Sequence, residues 1–419
     1  MDLARKIALD VLIAFDRDES YPNLLLKEIL DKLTDRRDRS FCTNIVYGTI
    51  ENKLKLDYFI SKVSSVPLKK IHVVTRNILR MGLYQGLYMD VPVSAACNTS
   101  VELAKKNRQF KSSGFVNAVL RKLLSDTEIC RLPTGDDVQS LSVRYSVDSS
   151  IITLLKDACG IEFVKEYFDA LETVDFTMSH IAVNTLKIDS KGLADKLLAE
   201  DVQVLEIEEG LLRVKFTSNP AKLESFKSGL FHIIGKPSYI TASKLNVCPG
   251  DFVLDLCSAP GGKTFALAYK MKNRGKIVAY DIHQHKIDEM KKQAKRLGIT
   301  NIEFICGDSS VLRKENLSKA DKVLCDVPCS GLGIIGKKPD IRYKNLTDFS
   351  LKDTQKSILA NGYSYLKNGG QLVYSTCTIN PKENTEIVSS QNVKTIEEMT
   401  FLPQTHQTEG FYYAVITKE

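Results

Sequence analysis

Along the first 127 residues, apolar positions recur every three or four places. The runs ARKIALDVLIAF (4–15), NLLLKEILDKL (23–33) and GFVNAVLRKLL (114–124) each lay an apolar stripe along a helix. Asp90-Val91-Pro92 interrupts the pattern, and Pro92 suits the opening of the next helix. The segment is predicted to be all helical. A polar stretch, CRLPTGDDVQS (Cys130–Ser140), carries Pro133 and Gly135 and reads as a linker.

From 141 to 235 the periods mix, which predicts a small α+β unit. IITLLKDACG is an amphipathic helix ending near Gly160, and HIAVNTLKI is strand-like. Asp189 is placed to cap KGLADKLLAE, and VQVLEI and LLRVKF flank Glu-Glu-Gly as a hairpin. Residues 236–419 form the third predicted domain. There FVLDLC, KIVAYDI, IEFICGD, KVLCDVP and QLVYSTC alternate with helical stretches such as HKIDEMKKQAKRLG. This alternation predicts a doubly wound parallel sheet, with ligands beyond the carboxyl ends of its strands. The polar features gather there. Asp281, Asp308 and Asp326 close the second, third and fourth strands, Cys377 closes the fifth, and a Gly-Gly loop follows the first.

Composition narrows the class. Apolar content of 43% and charged content of 26% are those of an ordinary soluble protein. No apolar run is long enough to span a membrane, and MDLARKIALD carries charges where a signal peptide needs an apolar core. Ten scattered cysteines in a chain of 419 residues suggest no disulfide framework, so a cytoplasmic location is expected. The net charge of +7 resides in residues 1–127, which hold 21 basic and 14 acidic side chains; the remaining chain is balanced at 37 of each. A basic face so concentrated points to a polyanion partner.

DLCSAPGGKT (Asp255–Thr264) invites comparison with a phosphate cradle, but the spacing excludes one. A Walker A loop would need Gly at 257, where Cys257 stands, and Pro260 removes a backbone donor. Three strand-end carboxylates beside a glycine loop suit a dinucleotide or S-adenosylmethionine. The G-x-G-x-x-G fingerprint is absent, and a cofactor without phosphate fits the donor-poor loop. Asp281 would take the ribose hydroxyls, and Asp326 would balance cationic groups.

Cys42, Cys159 and Cys306 read as small buried hydrophobes. Cys325 and Cys329 lack a second pair with which to hold a metal, so no metal is expected. Cys329, in DVPCSG, and Cys377, in STCT, lie just beyond adjacent strands beside a methyl donor, a placement that suggests covalent catalysis. Carbon 5 of cytosine is a poor nucleophile until a thiolate adds at carbon 6. An amine methyltransferase needs no thiol and typically carries Asn/Asp-Pro-Pro-Tyr/Phe where this chain has Asp-Val-Pro-Cys.

At these residues the resemblance becomes specific. DLCSAPGGKT, DVPCSGLG and YSTCTINPKENTE together resemble the RNA cytosine-5 methyltransferase family. DRRDRSFCTNIVYGTIENKLKLD resembles a NusB-type RNA-binding domain. SGFVNAVLRKLL, NTLKI and TEGFYYAVITK also match, so the likeness runs end to end and points to the bacterial RsmB (Sun, Fmu) branch, which modifies 16S ribosomal RNA. The resemblance implies an α/β fold: a NusB-like helical domain (1–127), a small RRM-like unit (141–235) and a Rossmann-like methyltransferase domain (236–419). It implies Cys377 as nucleophile and Cys329 as the thiol that helps release the product. S-adenosylmethionine would lie against Cys257, Ser258, Ala259, Pro260, Gly261, Gly262, Lys263, Asp281, Asp308 and Asp326, with Asp326 also reaching the cytosine edge. A small-subunit ribosomal RNA partner and a monomeric enzyme are expected. Two other readings remain open: transfer RNA as substrate, and an assembly or antitermination factor with vestigial methylation. The family's usual Val-Gln-Asp reads Ile233-Ile234-Gly235 here, its frequent Arg-Val-Asn reads Ala182-Val183-Asn184, and Ser258 replaces the more usual Ala.

Overall fold

The computed structural model describes residues 2–18, 25–26, 29–30, 33–346 and 351–419. The chain divides into two compact units, one of Met1–Ile161 with Lys338–Thr347, the other of Glu162–Lys337 with Asp348–Glu419.

The first unit is helical. Its main helices are α1 (Leu3–Asp18), α2 (Arg36–Glu51), α3 (Lys53–Val63), α4 (Val73–Tyr88), α5 (Val93–Lys106), α6 (Ser113–Ser125), α7 (Val138–Tyr145) and α8 (Ser149–Cys159). The expected helix over NLLLKEILDKL lies largely outside the described residues. Pro92 takes the N-cap of α5, one position before its first helical residue. The apolar stripes meet in one core containing Leu9, Ile45, Ile78, Leu83 and Leu120. A Cβ at Gly82 would come within 2.7 Å of Leu120, so this helix contact requires glycine.

Polar anchoring inside that core is concentrated on Arg80, which is 4% exposed. Its guanidinium forks onto Asp57 through Nε (2.7 Å) and a terminal nitrogen (2.6 Å). The other terminal nitrogen donates to Asp16 at 2.6 Å. Residues 338–347 belong to this unit as well. Arg342 donates to Tyr145 O (2.8 Å) and pairs with Glu51 (3.0 Å), and the Tyr343 hydroxyl donates to Ile50 O.

In the second unit, α9 (Ile161–Thr173) leads into a four-stranded antiparallel sheet of order β2-β3-β1-β4. Its strands are β1 (Ser179–Val183), β2 (Gln203–Glu208), β3 (Leu211–Lys215) and β4 (Phe231–Ile233). Helix α10 (Ser190–Ala199) starts where Asp189 accepts from Gly192 N at 2.7 Å, and the hairpin turns at Gly210. One sheet face packs Ile181, Leu212 and Phe231 under Leu193 and Leu197 of α10. The other contributes Ala182 and Leu211 to the core of the following domain, so Ala182 fills apolar space.

That domain begins with α11 (Lys236–Lys244), then β5 (Phe252–Asp255), α12 (Gly262–Lys270), β6 (Lys276–Asp281), α13 (Gln284–Leu297) and β7 (Ile302–Cys306). It continues with β8 (Ala320–Asp326), α14 (Leu351–Tyr365), β9 (Leu366–Thr376), β10 (Lys394–Phe401) and β11 (Phe411–Thr417). The sheet order is β10-β11-β9-β8-β5-β6-β7, with β5 to β9 parallel and β10 and β11 antiparallel additions. The five strands read from the sequence are all present; the closing hairpin is additional. Successive strands are added on one side of β5 (β6, β7) and then on the other (β8, β9), and a doubly wound sheet opens a ligand crevice at such a switch of order. Two end residues sit slightly beyond their strands: β7 stops at Cys306, ahead of Asp308, and β9 stops at Thr376, ahead of Cys377.

Replacing Arg80 by Leu would leave Asp16 and Asp57 without their shared guanidinium. Breaking a buried ion pair from one side costs about 3–5 kcal/mol. Urea unfolding of Arg80→Leu should show a loss of that order in the transition of the helical unit.

Candidate active site

Every candidate residue lies on the carboxyl edge of the parallel strands. The turn after β5 contains a cis Ala259–Pro260 bond and Gly261 at φ +102°, from which α12 starts. A Cβ on Gly261 would meet the Phe265 ring at 2.5 Å, so both the dihedral and the space demand glycine. Ser258 ties the loop to the neighbouring strand, its N and Oγ both donating to Tyr280 O at 2.8 and 2.9 Å.

Asp281 ends β6 and accepts from His283 N at 2.9 Å. Asp308 closes a tight turn, accepting from Ser310 N and Oγ at 2.8 and 2.7 Å; the hydroxyl bond chiefly holds its carboxyl below the ordinary value. With β8, β5, β6 and β7 adjacent in that order, Asp326, the 257–263 loop, Asp281 and Asp308 form one row along the crevice. Asp326 is fixed from two sides. Lys263 Nζ donates to Oδ2 at 2.6 Å and Ser375 Oγ to Oδ1 at 2.7 Å, Ser375 being its partner in the β8–β9 register. Lys263 is 9% exposed and lies 4.8 Å from the Phe411 ring centroid.

The two thiols meet. Cys329 Sγ and Cys377 Sγ are 3.2 Å apart although 48 residues separate them. The hydrogen bond with Cys377, reinforced by burial, pushes the Cys329 thiol well above its ordinary value, so Cys329 keeps its proton. Burial likewise raises Cys257, in the turn after β5, and Cys325, inside β8, and both stay protonated. Cys306 is exposed, contrary to its reading as a buried hydrophobe, because β7 is the sheet edge.

Beneath the thiols lies a residue that motif reading passed over. Glu383, fully buried, accepts from Ser330 N (2.9 Å), Ser330 Oγ (2.5 Å), Asn380 Nδ2 (3.1 Å) and Gln355 Nε2 (3.1 Å). Its only sequence signal is an acidic side chain inside NPKENTE; neither its burial nor its partners can be inferred from spacing. The departures from the family pattern also find a place. A side chain on Gly235 would run into the Glu409 carboxylate, which pairs with Lys337 at 2.9 Å. Polar chemistry is therefore supplied there from another segment.

Fold and site define a Rossmann-like methyltransferase domain in a chain that also carries a NusB-type helical region. Residues 242–395 match the family model described as 16S rRNA methyltransferase RsmB/F, and residues 2–125 match the NusB family. The chain is 34% identical over 394 residues to the probable ribosomal RNA small subunit methyltransferase B of Bacillus subtilis (strain 168), covering 92% of this chain and 87% of that protein. It is 31% identical over 240 residues to the tRNA (cytosine(72)-C(5))-methyltransferase of Pyrococcus horikoshii, covering 53% and 61%. The crystal structure of PH0851 shares the fold with a TM-score of 0.83 at 23% identity, over 100% of this chain and 99% of that one. This chain belongs to the 16S rRNA methyltransferase RsmB/F family.

Asp255, behind the glycine loop, is 1% exposed and accepts from Thr264 Oγ1 at 2.7 Å. Burial pushes its carboxyl up to about 7, with Thr264 opposing the rise. An acid raised on folding keeps a proton that the unfolded chain releases near pH 4, so stability falls as pH climbs from about 4 to about 7. Between pH 5 and 8 the protein should lose roughly 2–3 kcal/mol more stability than Asp255→Asn. Equal pH slopes in chemical denaturation would contradict this assignment.

Proposed function

We propose that the protein methylates carbon 5 of a cytosine in small-subunit ribosomal RNA through a covalent bond between Cys377 and the base. The observation that carries this reading is the 3.2 Å approach of Cys329 and Cys377. The two ring atoms that react, carbons 5 and 6, are bonded neighbours, so the groups acting on them must also be close together. The family model and the Bacillus relative favour ribosomal RNA, and the Pyrococcus relative favours cytosine-C5 as the position modified.

The cofactor is S-adenosylmethionine, which supplies a methyl group on a cationic sulfonium. The donor-poor 257–263 loop suits a ligand without phosphate, and Asp281, Asp308 and Asp326 suit hydroxyls and positive charge. Cys377 adds to carbon 6, and the electron pair of the 5,6 double bond makes carbon 5 nucleophilic. Once carbon 5 is methylated, its proton must leave, the double bond reforms and the Cys377–carbon 6 bond breaks. Cys329, 3.2 Å from Cys377, is the residue that assists this release. Asp326, fixed by Lys263 and Ser375, would accept from the cytosine amino group. The base must be single-stranded or flipped out for a thiol to reach it. In this proposal residues 1–127 supply the basic RNA-binding domain, 141–235 the small RRM-like unit and 236–419 the methyl-transfer domain, in a cytoplasmic monomer.

Cys377→Ser should abolish methylation and leave no covalent RNA complex, because a hydroxyl is a far weaker nucleophile than a partly ionised thiol. Cys329→Ser should still allow attack by Cys377 and methyl transfer to the base, then release slowly, giving a shifted protein–RNA band on a denaturing gel. A band for Cys377→Ser alone would reverse the roles; full turnover in both variants would remove the covalent route.

Cofactor binding gives a second test. Asp281→Ala should weaken S-adenosylmethionine binding by about 1–3 kcal/mol, the scale for polar groups left unpaired. Calorimetry showing no change would take Asp281 out of the cofactor site.

A further inference from the structure

We infer that Glu383 is a positioning residue that sets the spacing of the two thiols. This inference rests on the two-thiol reading above. Glu383 binds both segments that carry the sulfurs. Through Ser330 N and Oγ it holds the residue next to Cys329. Through Asn380 Nδ2 it holds the turn that begins at Cys377, and Ser330 Oγ meets Thr378 Oγ1 from that turn at 2.8 Å. Gln355 of α14 braces the same point, its Nε2 donating to both Glu383 Oε1 (3.1 Å) and Pro328 O (2.9 Å). The Tyr374 hydroxyl donates to Glu383 O at 2.7 Å, which fixes the backbone as well.

Placing a carboxylate in a dry interior is costly unless its oxygens are satisfied. Here four side-chain and backbone donors converge on the two oxygens, and they come from three separate segments. Pure loop anchoring would need only one of them. What this arrangement fixes is the distance between two chain segments, and on that distance depends the 3.2 Å approach of Cys329 to Cys377. Gln at 383 keeps one acceptor oxygen but turns an NH2 toward the Asn380 amide, so it retains part of the tie. Ala removes all of it.

The rate of disulfide formation reads the spacing directly. Diamide takes one hydrogen from each thiol onto its azo nitrogens as the Cys329–Cys377 bond forms, and peptide mass analysis measures the linked fraction. The full chain should link rapidly, Glu383→Gln more slowly, and Glu383→Ala slower by roughly ten-fold or more, because intramolecular rates depend steeply on how well two groups are held. Unfolding midpoint and alkylation of the exposed Cys248 and Cys306 serve as controls for intact structure. This measurement needs neither RNA nor methyl donor, so its outcome is independent of the methyl-transfer reading. In the methylation assay the same variants should lose kcat with the KM for RNA little changed. Where Glu383→Ala does not fold, Glu383→Gln decides. An unchanged linking rate in the folded variant would overturn the inference, and so would slowed linking with kcat intact, which would make Glu383 a structural tie alone.

Discussion

Two sulfur atoms separated by 48 residues stand 3.2 Å apart, and the carboxyl edge of the sheet is organised around that approach. It originates in the parallel pairing of β8 with β9, which sets Asp326 opposite Ser375. From that register the chain leaves both strands on the same edge and in the same direction, so the Cys329 turn and the Cys377 turn emerge side by side. A ladder of main-chain bonds carries the alignment outward, Gly333 N donating to Cys377 O and Gly410 N to Gly333 O. Buried beneath, Glu383 fixes the remaining freedom of the two turns.

Electrostatics then distinguishes groups of the same type. Five cysteines lie at or near the carboxyl edge, Cys257, Cys306, Cys325, Cys329 and Cys377, and of these Cys329 and Cys377 face each other. Cys257 and Cys325 are held protonated by burial, and Cys329 by its bond to Cys377. Among the carboxylates, Asp255 is buried and raised, Asp308 is lowered by its serine turn, and Asp326 is matched by Lys263. One edge of a sheet thus presents an ion pair, a pair of thiols and a row of acids, each tuned by what packs around it.

Much of this could be read from the residues. Strand-helix alternation located the five parallel strands, and short polar endings such as Tyr-Asp and Cys-Asp located the ligand edge. Asp189 and Gly160 marked helix ends because capping is local chemistry. What depends on distant partners was not readable. The β10–β11 hairpin breaks the alternation that announced the other strands. Cys306 reads as a core residue until the sheet order puts β7 at the edge. That Cys329 keeps its proton follows from a contact 48 residues away, and Glu383 gives no sign in the sequence that it is buried.

The proposed chemistry is a base modification, and its most direct measurement is the modification itself. Small-subunit ribosomal RNA and transfer RNA from a strain lacking this protein should be mapped for 5-methylcytosine beside the parent strain. The expected result is loss of 5-methylcytosine from small-subunit ribosomal RNA, with transfer RNA unchanged and the mark restored by the wild-type chain but not by Cys377→Ser. Loss confined to transfer RNA, or an unaltered map in both RNAs, would contradict it.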